Sequence, residues 1–223
     1  MNILIGCEES QTICLAFRKK GHNAFSCDTQ PCSGGHPEFH IQMDLLQVIK
    51  LKWTKFQTQD GTWHTIDHWD MLIAHPPCTY LTVTGNKWFT EQPARKSGAL
   101  VGRAREEARE ESIQFFLTLA RANIRKICLE NPVGIMSTVW RKSDQIIQPF
   151  QFGHPEPKKT CLWLKNLPPL LPTQIVEPEY HISKSGKRLA KWYYMPSPSP
   201  ERQKMRSVTF QGVADAMANQ WNF

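Results

Sequence analysis

Trp69-Asp70-Met71-Leu72-Ile73-Ala74-His75-Pro76-Pro77-Cys78-Thr79-Tyr80-Leu81 is the stretch whose reading decides the fold. Its apolar run, Met71 to Ala74, is short and bounded by an aspartate on one side and a proline pair on the other. That pattern predicts a strand buried on both faces, as in a parallel sheet. Pro76 and Pro77 cannot continue a ladder, so Cys78 is delivered just past the carboxyl end of a central strand. In open α/β sheets that edge is where ligands bind. Most free cysteines are buried and inert, so the meaning of Cys78 depends on what the other strand ends bring beside it.

Upstream, Asn2 to Cys7 read as a first buried strand and Ser10 as the cap of a helix running to about Lys20, ended by Gly21. Asn23 to Cys27 form a second strand with Asp28 at its end. Strand, glycine turn, helix, strand, acid is the opening of a dinucleotide- or nucleoside-binding βαβ unit. Asp28 lies 22 positions after Gly6, near the spacing at which a carboxylate takes ribose hydroxyls. The G-x-G-x-x-G pattern is absent. The turn Gly6-Cys7-Glu8-Glu9-Ser10 is acidic, which repels phosphate and tolerates a cationic sulfonium; acids also favour any helix N-terminus. Asp44 follows a third short strand, and Leu51 to Asp67 alternate around Asp60-Gly61 as a peripheral hairpin.

Downstream, Thr82 to Gly102 is a glycine-bearing loop of the length typical of lids, and a helix spans about Ala104 to Ala122 with a solvated, charged first half. Ile127-Cys128-Leu129 is another buried strand, ended by Glu130-Asn131-Pro132 much as Pro76-Pro77 ends the earlier one. Ten of the sixteen prolines fall between Pro149 and Pro200, marking a loop-rich lobe. That lobe carries a possible strand at Thr160 to Leu164 and a basic, hairpin-like stretch with Lys184, Lys187, Arg188 and Lys191. Gly212 to Trp221 is a final amphipathic helix. The expected organisation is a core over 1–150, a small lobe over 151–206 concerned with target recognition, and a helix over 207–223 that packs back on the core.

The chain has 223 residues, 40% hydrophobic and 21% charged, with a net charge of +7. It is long enough for one well-filled α/β domain and is not of disordered composition. The basic balance suits a polyanionic partner. No segment reaches membrane-spanning length, the opening apolar run is too short for a signal peptide, and seven irregularly spaced cysteines suit a reducing, cytoplasmic compartment. Cys27, Cys32, His36 and His40 have a loose zinc-knuckle spacing, but their loop follows the second strand, where a nucleoside site needs its base contacts, so no metal is expected.

Taken together these motifs resemble the DNA cytosine-5 methyltransferases, which carry S-adenosylmethionine on a Rossmann-like sheet. Pro76-Pro77-Cys78 is similar to that family's proline-proline-cysteine nucleophile, and Glu130-Asn131 to its Glu-Asn-Val. Phe152-Gly153-His154-Pro155-Glu156-Pro157-Lys158-Lys159-Thr160 resembles its Tyr-Gly-Val-Pro-Gln-x-Arg-x-Arg, and Thr209 to Gln220 its closing helix. The resemblance implies an α/β methyltransferase sheet with a small Pro-rich lobe, Cys78, Glu130 and Lys158 in catalysis, and DNA as partner. It implies cofactor contacts from Gly6, Cys7, Glu8, Glu9, Ser10, Asp28, Asp44, His75 and Pro76. Substrate contacts would come from Pro77 and Asn131, with Arg95, Lys96, Lys187 and Arg188 on phosphates. Thr160 replaces the family's second arginine, proline follows Glu130-Asn131 instead of valine, and the first turn lacks paired glycines.

Cytosine carbon 5 is not nucleophilic enough to take a methyl group unaided, and a thiolate adding to carbon 6 makes it so. Three other readings stay open on sequence: methylation of a free pyrimidine nucleotide, methylation of an exocyclic amine, and a non-catalytic DNA-binding protein on the same fold. The absence of a metal is checked directly. Protein purified without chelators should carry far less than one equivalent of zinc by elemental analysis.

Overall fold

The computed structural model describes residues 1–50, 54–93, 95, 98–183, 185–191 and 208–223. Trp53, Lys96 and Lys184 lie outside the described residues. A seven-stranded mixed sheet runs through the molecule in the order β3-β2-β1-β6-β7-β9-β8. Its parallel part comprises β1 (Asn2–Gly6), β2 (Asn23–Asp28), β3 (His40–Gln42), β6 (Met71–Ala74) and β7 (Lys126–Pro132). Antiparallel β9 (Thr160–Lys165) pairs with β7 on one side and with β8 (Gln145–Ile147) on the other. The chain steps outward from β1 to β3 and then returns to β6 on the other side of β1. This is the reversal that creates a ligand crevice at the carboxyl ends of β1 and β6 in Rossmann-like sheets.

Side-chain alternation along the strands sorts the core into two layers. Ile3, Ile5, Met71, Ile73, Cys128 and Leu162 face α1 (Thr12–Lys19) and the C-terminal helix Gln211–Gln220. Leu4, Leu72, Ala74, Ile127, Leu129 and Trp163 face the other way, toward α2 (Leu45–Lys50), α3 (Gly102–Ala120) and α4 (Met136–Val139). The C-terminal helix is therefore α5. It is tied down by the fully buried Trp221, whose indole N–H donates to the Pro168 carbonyl at 3.0 Å.

Several expectations need correction. Ser10 does not cap α1. The Glu8 carboxylate does, accepting the backbone N–H groups of Ile13 at 2.7 Å and Cys14 at 3.2 Å. The hairpin of β4 (Thr54–Gln57) and β5 (Trp63–Ile66) is not peripheral, because Phe56 is buried in an aromatic cluster with Phe25, His64 and Trp69. Helix α3 begins two residues early, where the distant Glu91 carboxylate accepts the Arg103 N–H at 2.9 Å. Its charged first half is only partly solvated: Arg105 is 4% exposed. Glu130, Asn131 and Pro132 form the last residues of β7 and are themselves paired in the ladder, opposite Leu162, Cys161 and Thr160 of β9. Strands β8 and β9 pair across position 150, so the main sheet continues through β9. The basic stretch is a hairpin as read, β10 (Tyr180–Ile182) against β11 (Arg188–Ala190). No helix among the described residues is long and apolar enough to cross a membrane.

Trp221 closes α5 onto the sheet, so Trp221→Ala should cost about 3–5 kcal/mol of stability, as for other fully buried aromatic truncations. Denaturant unfolding of the two proteins measures this.

Candidate active site

Two strand ends meet because a single amide joins them. Asn131 is 2% exposed, and its Nδ2 donates to the Pro76 carbonyl at 2.6 Å. The tie docks the turn Pro76-Pro77-Cys78, at the end of β6, against Glu130 and Asn131 of β7. The adjoining ladder holds the other side, with the His75 N–H bonded to the Gly6 carbonyl at 3.0 Å. Asn131 is thus placed on the chain's own backbone rather than turned out toward a substrate.

Around this tie stand Cys78, His75, Glu130, Lys158 and Thr160. Burial alone would push the Glu130 carboxyl up. The His75 imidazole, the Lys158 ammonium and the Thr160 hydroxyl outweigh burial and hold it below its ordinary value. Glu130 is therefore an anion at neutral pH. An ionised carboxylate only accepts hydrogen bonds, so the 3.0 Å contact between His75 Nδ1 and Glu130 Oε2 requires the proton on Nδ1. The Cys78 thiol is pushed up by burial and by the charge of Glu130, with Lys158 pulling the other way. It rests as a thiol.

Beside the pair, His75, Glu130, Lys158, Thr160, Thr209 and Phe210 line a cavity of about 20 Å³ under the start of α5. The α5 end is anchored there by the Gly212 N–H, which donates to His154 Nε2 at 2.9 Å. A side chain at Gly212 would collide with the Phe152 carbonyl, so only glycine permits this approach.

The turn after Cys78 is held from behind. Arg105 donates to the Thr79 carbonyl at 3.0 Å and Arg109 to that of Tyr80 at 2.8 Å, while both guanidiniums stack on Phe89. Sequence reading missed these two residues. Their signal is the four-residue spacing on one face of a helix that follows an aromatic loop.

At the switch point the acids divide into two sets. Glu8 and Glu9 are used internally, Glu8 on α1 and Glu9 accepting from the Ser33 hydroxyl at 2.9 Å. Ser10 Oγ accepts from Thr12 at 3.3 Å, and Gly6 lies under the Leu45 side chain, which leaves no room for a Cβ. Asp28 and Asp44 flank Cys7. Burial first, then these two charges, push the Cys7 thiol up to about 12. Asp28 Oδ1 accepts the Gln30 N–H at 2.9 Å, and Asp44 Oδ1 accepts the Leu46 N–H at 2.8 Å. Among the nine residues expected at the cofactor, Asp28 and Asp44 thus lie near enough to Cys7 for their charges to act on it, whereas the Glu8 carboxylate and the His75 imidazole are turned to partners within the chain.

The remaining expectations scatter. Arg95 stacks on Trp88 at 3.8 Å and Arg188 on Tyr180 at 4.1 Å, and Lys187 is exposed on the same hairpin as Arg188. None of these stands among the groups around Glu130. The zinc-spaced residues are engaged separately: His40 with Ser26 Oγ and the Gln30 carbonyl, His36 with Glu38, and Cys27 with the Met43 carbonyl.

No protein-family model matches the chain, and no curated protein matches it. Among solved structures that resemble it is one provisionally described as a DNA modification methyltransferase encoded within a prophage (E. coli), with a TM-score of 0.44 and 13% identity. The match covers 79% of this chain and 52% of that one, so the chain spans about half the length of its relative. A likeness this distant carries no argument about activity. The functional argument rests on the site.

Glu8 makes the fold sensitive to pH. Burial raises its carboxyl from 4.5 to about 7, against the lowering effect of His75 and the two N–H groups it caps. Between those values the folded state binds more protons than the unfolded state, so this contribution to stability falls as pH rises through the window. Wild type should lose stability relative to Glu8→Gln between pH 4.5 and 7, read as the difference in Tm across a pH series.

Proposed function

We propose that this protein transfers a methyl group from S-adenosylmethionine to carbon 5 of cytosine in DNA, with Cys78 as nucleophile. The observation that carries the reading is the buried Asn131–Pro76 bond, which docks the turn bearing Cys78 against the strand bearing Glu130, close enough for the carboxylate charge to act on the thiol. Either residue alone is unremarkable chemistry. Together they match what pyrimidine activation needs, a group to add at carbon 6 and a group to manage the proton at nitrogen 3.

The residues at the switch point suit the cofactor through their charge. Two carboxylates, Asp28 and Asp44, act on Cys7 at the carboxyl edge of the sheet, and the sequence holds no glycine-rich phosphate cradle. That donor set favours ribose hydroxyls, an adenine amine and a cationic sulfonium over a pyrophosphate. S-adenosylmethionine bound there supplies an electrophilic methyl group. Cys78 adds to carbon 6 once its proton has left, an event that Lys158 assists and the Glu130 charge opposes. Glu130 faces nitrogen 3 and neutralises the charge that develops there. Arg105 and Arg109 keep the Cys78 turn from recoiling during attack.

DNA as the substrate polymer is supported by the net charge of +7 and by surface cations such as Arg95, Lys187 and Arg188. Lys96 belongs to the same proposal on sequence grounds alone. The target base must leave the duplex to reach Cys78 and Glu130 together.

The test uses duplex DNA carrying 5-fluorocytosine at candidate sites. Fluorine takes the position whose proton must leave, so the enzyme should be trapped covalently on DNA when the methyl donor is present. Cys78→Ala should form no adduct, whereas Cys32→Ser should form it as wild type does. Methylation by Cys78→Ala would exclude this mechanism and favour transfer to an exocyclic amine, while reaction with mononucleotides in preference to DNA would favour the free-nucleotide reading.

A further inference from the structure

Glu130 presents a difficulty for the chemistry proposed above. The carboxylate is ionised, yet the ring nitrogen it faces gains electron density when the thiolate adds and needs a proton. Three features point to where that proton comes from. His75 Nδ1 sits 3.0 Å from Glu130 Oε2, in a pair whose side chains are only 13% and 17% exposed. His75 Nε2 is buried and has no hydrogen-bond partner among the described residues. The cavity that His75 and Glu130 line is about 20 Å³, room for about one water molecule, and Lys158, Thr160 and Thr209 give its wall further polar groups.

We propose that His75, as the imidazolium, is a positioning residue that supplies Glu130 with its proton, passing it from Nδ1 to the carboxylate and taking it back at Nδ1, while Nε2 keeps its own proton and donates it to a water in this cavity. The proposal rests on the cytosine-5 reading. As Cys78 adds, the Nδ1–H bond breaks and an N–H bond forms at ring nitrogen 3, with Glu130 between them. The imidazolium ends as neutral imidazole and the carboxylate as it began. When the enzyme later leaves carbon 6, nitrogen 3 gives up that proton along the same path. No oxidant or further reactant is involved.

Histidine is the side chain suited to this task, since its ordinary titration lies close to neutrality and its two nitrogens face opposite directions. The charged groups that face the imidazole are Glu8 from the β1–α1 turn, Glu130 from β7 and Lys158 from the segment before β9. Cys78 lies on the next turn of its own strand end. In this proposal the imidazolium is the form of His75 that delivers the proton.

The experiment combines histidine nitrogen NMR with single-turnover adduct formation on fluorocytosine DNA across pH. The His75 resonance, identified by its loss in His75→Asn, should titrate, and Glu130→Gln should move its midpoint to lower pH. Adduct formation by wild type should slow above that same midpoint. His75→Asn keeps an amide N–H for Glu130 but cannot titrate. It should lose the alkaline limb and form adduct about 10²–10⁴-fold more slowly, the usual worth of a positioned proton-transfer group, with DNA affinity unchanged. A His75 midpoint indifferent to Glu130→Gln, or a His75→Asn protein with the wild-type rate and pH limb, would overturn proton delivery while leaving the cytosine-5 reading intact. Wild-type protein that forms no adduct would overturn that reading, and with it this role.

Discussion

A buried amide reaching across two parallel strands is the constraint on which the candidate site depends. Proline pairs end a strand but do not say where the chain goes next. Here the Pro76 carbonyl, which the ladder can no longer use, is satisfied by Asn131 Nδ2 from the neighbouring strand. An unpaired carbonyl in that environment would carry a desolvation cost of about 1–3 kcal/mol, so the bond fixes both the turn and the strand beside it. Cys78 and Glu130 then take their places with little freedom left.

The sheet explains why Glu130 can be both rigid and reachable. In a wholly parallel sheet β7 would stop near Leu129, and the residues beyond it would enter a loop. Antiparallel β9 instead pairs through Pro132, so Glu130 is held by a ladder while still lying beyond the end of β6. Thr160, opposite Pro132 in that ladder, brings its hydroxyl to the same carboxylate. Where the resembling family has an arginine, this chain has a small donor on a strand, and the charge partner of Glu130 becomes Lys158 together with His75.

Electrostatics divides the carboxyl edge of the sheet into two regions. Acids dominate near Cys7, where burial first and then Asp28 and Asp44 suppress thiol ionisation. Around Cys78 one carboxylate is balanced by an ammonium and an imidazole. Seven thiols are present, all of them free, and they do not share one environment. Cys128, on β7, is buried in the core layer facing α1 and α5 and pushed well above the ordinary thiol range, while Cys78 has Lys158 to offset its burial.

Strand identity was legible in the sequence wherever burial is two-sided: Met71–Ala74, Asn2–Gly6 and the apolar start of β7 are apolar runs that no amphipathic helix would use. The order of Pro76-Pro77-Cys78 and Glu130-Asn131 was equally plain, as was the acid ending β2. Pairing was not. That Thr160–Lys165 joins the main sheet, that Glu130 lies within a strand, and that Arg105 is buried all depend on partners far along the chain, which no local pattern encodes. Side-chain direction was hidden for the same reason: Glu8 looks like a ligand for the crevice until α1 offers it two backbone N–H groups. Local residue type fixes which groups are available at a strand end; only tertiary packing decides which of them the protein itself consumes.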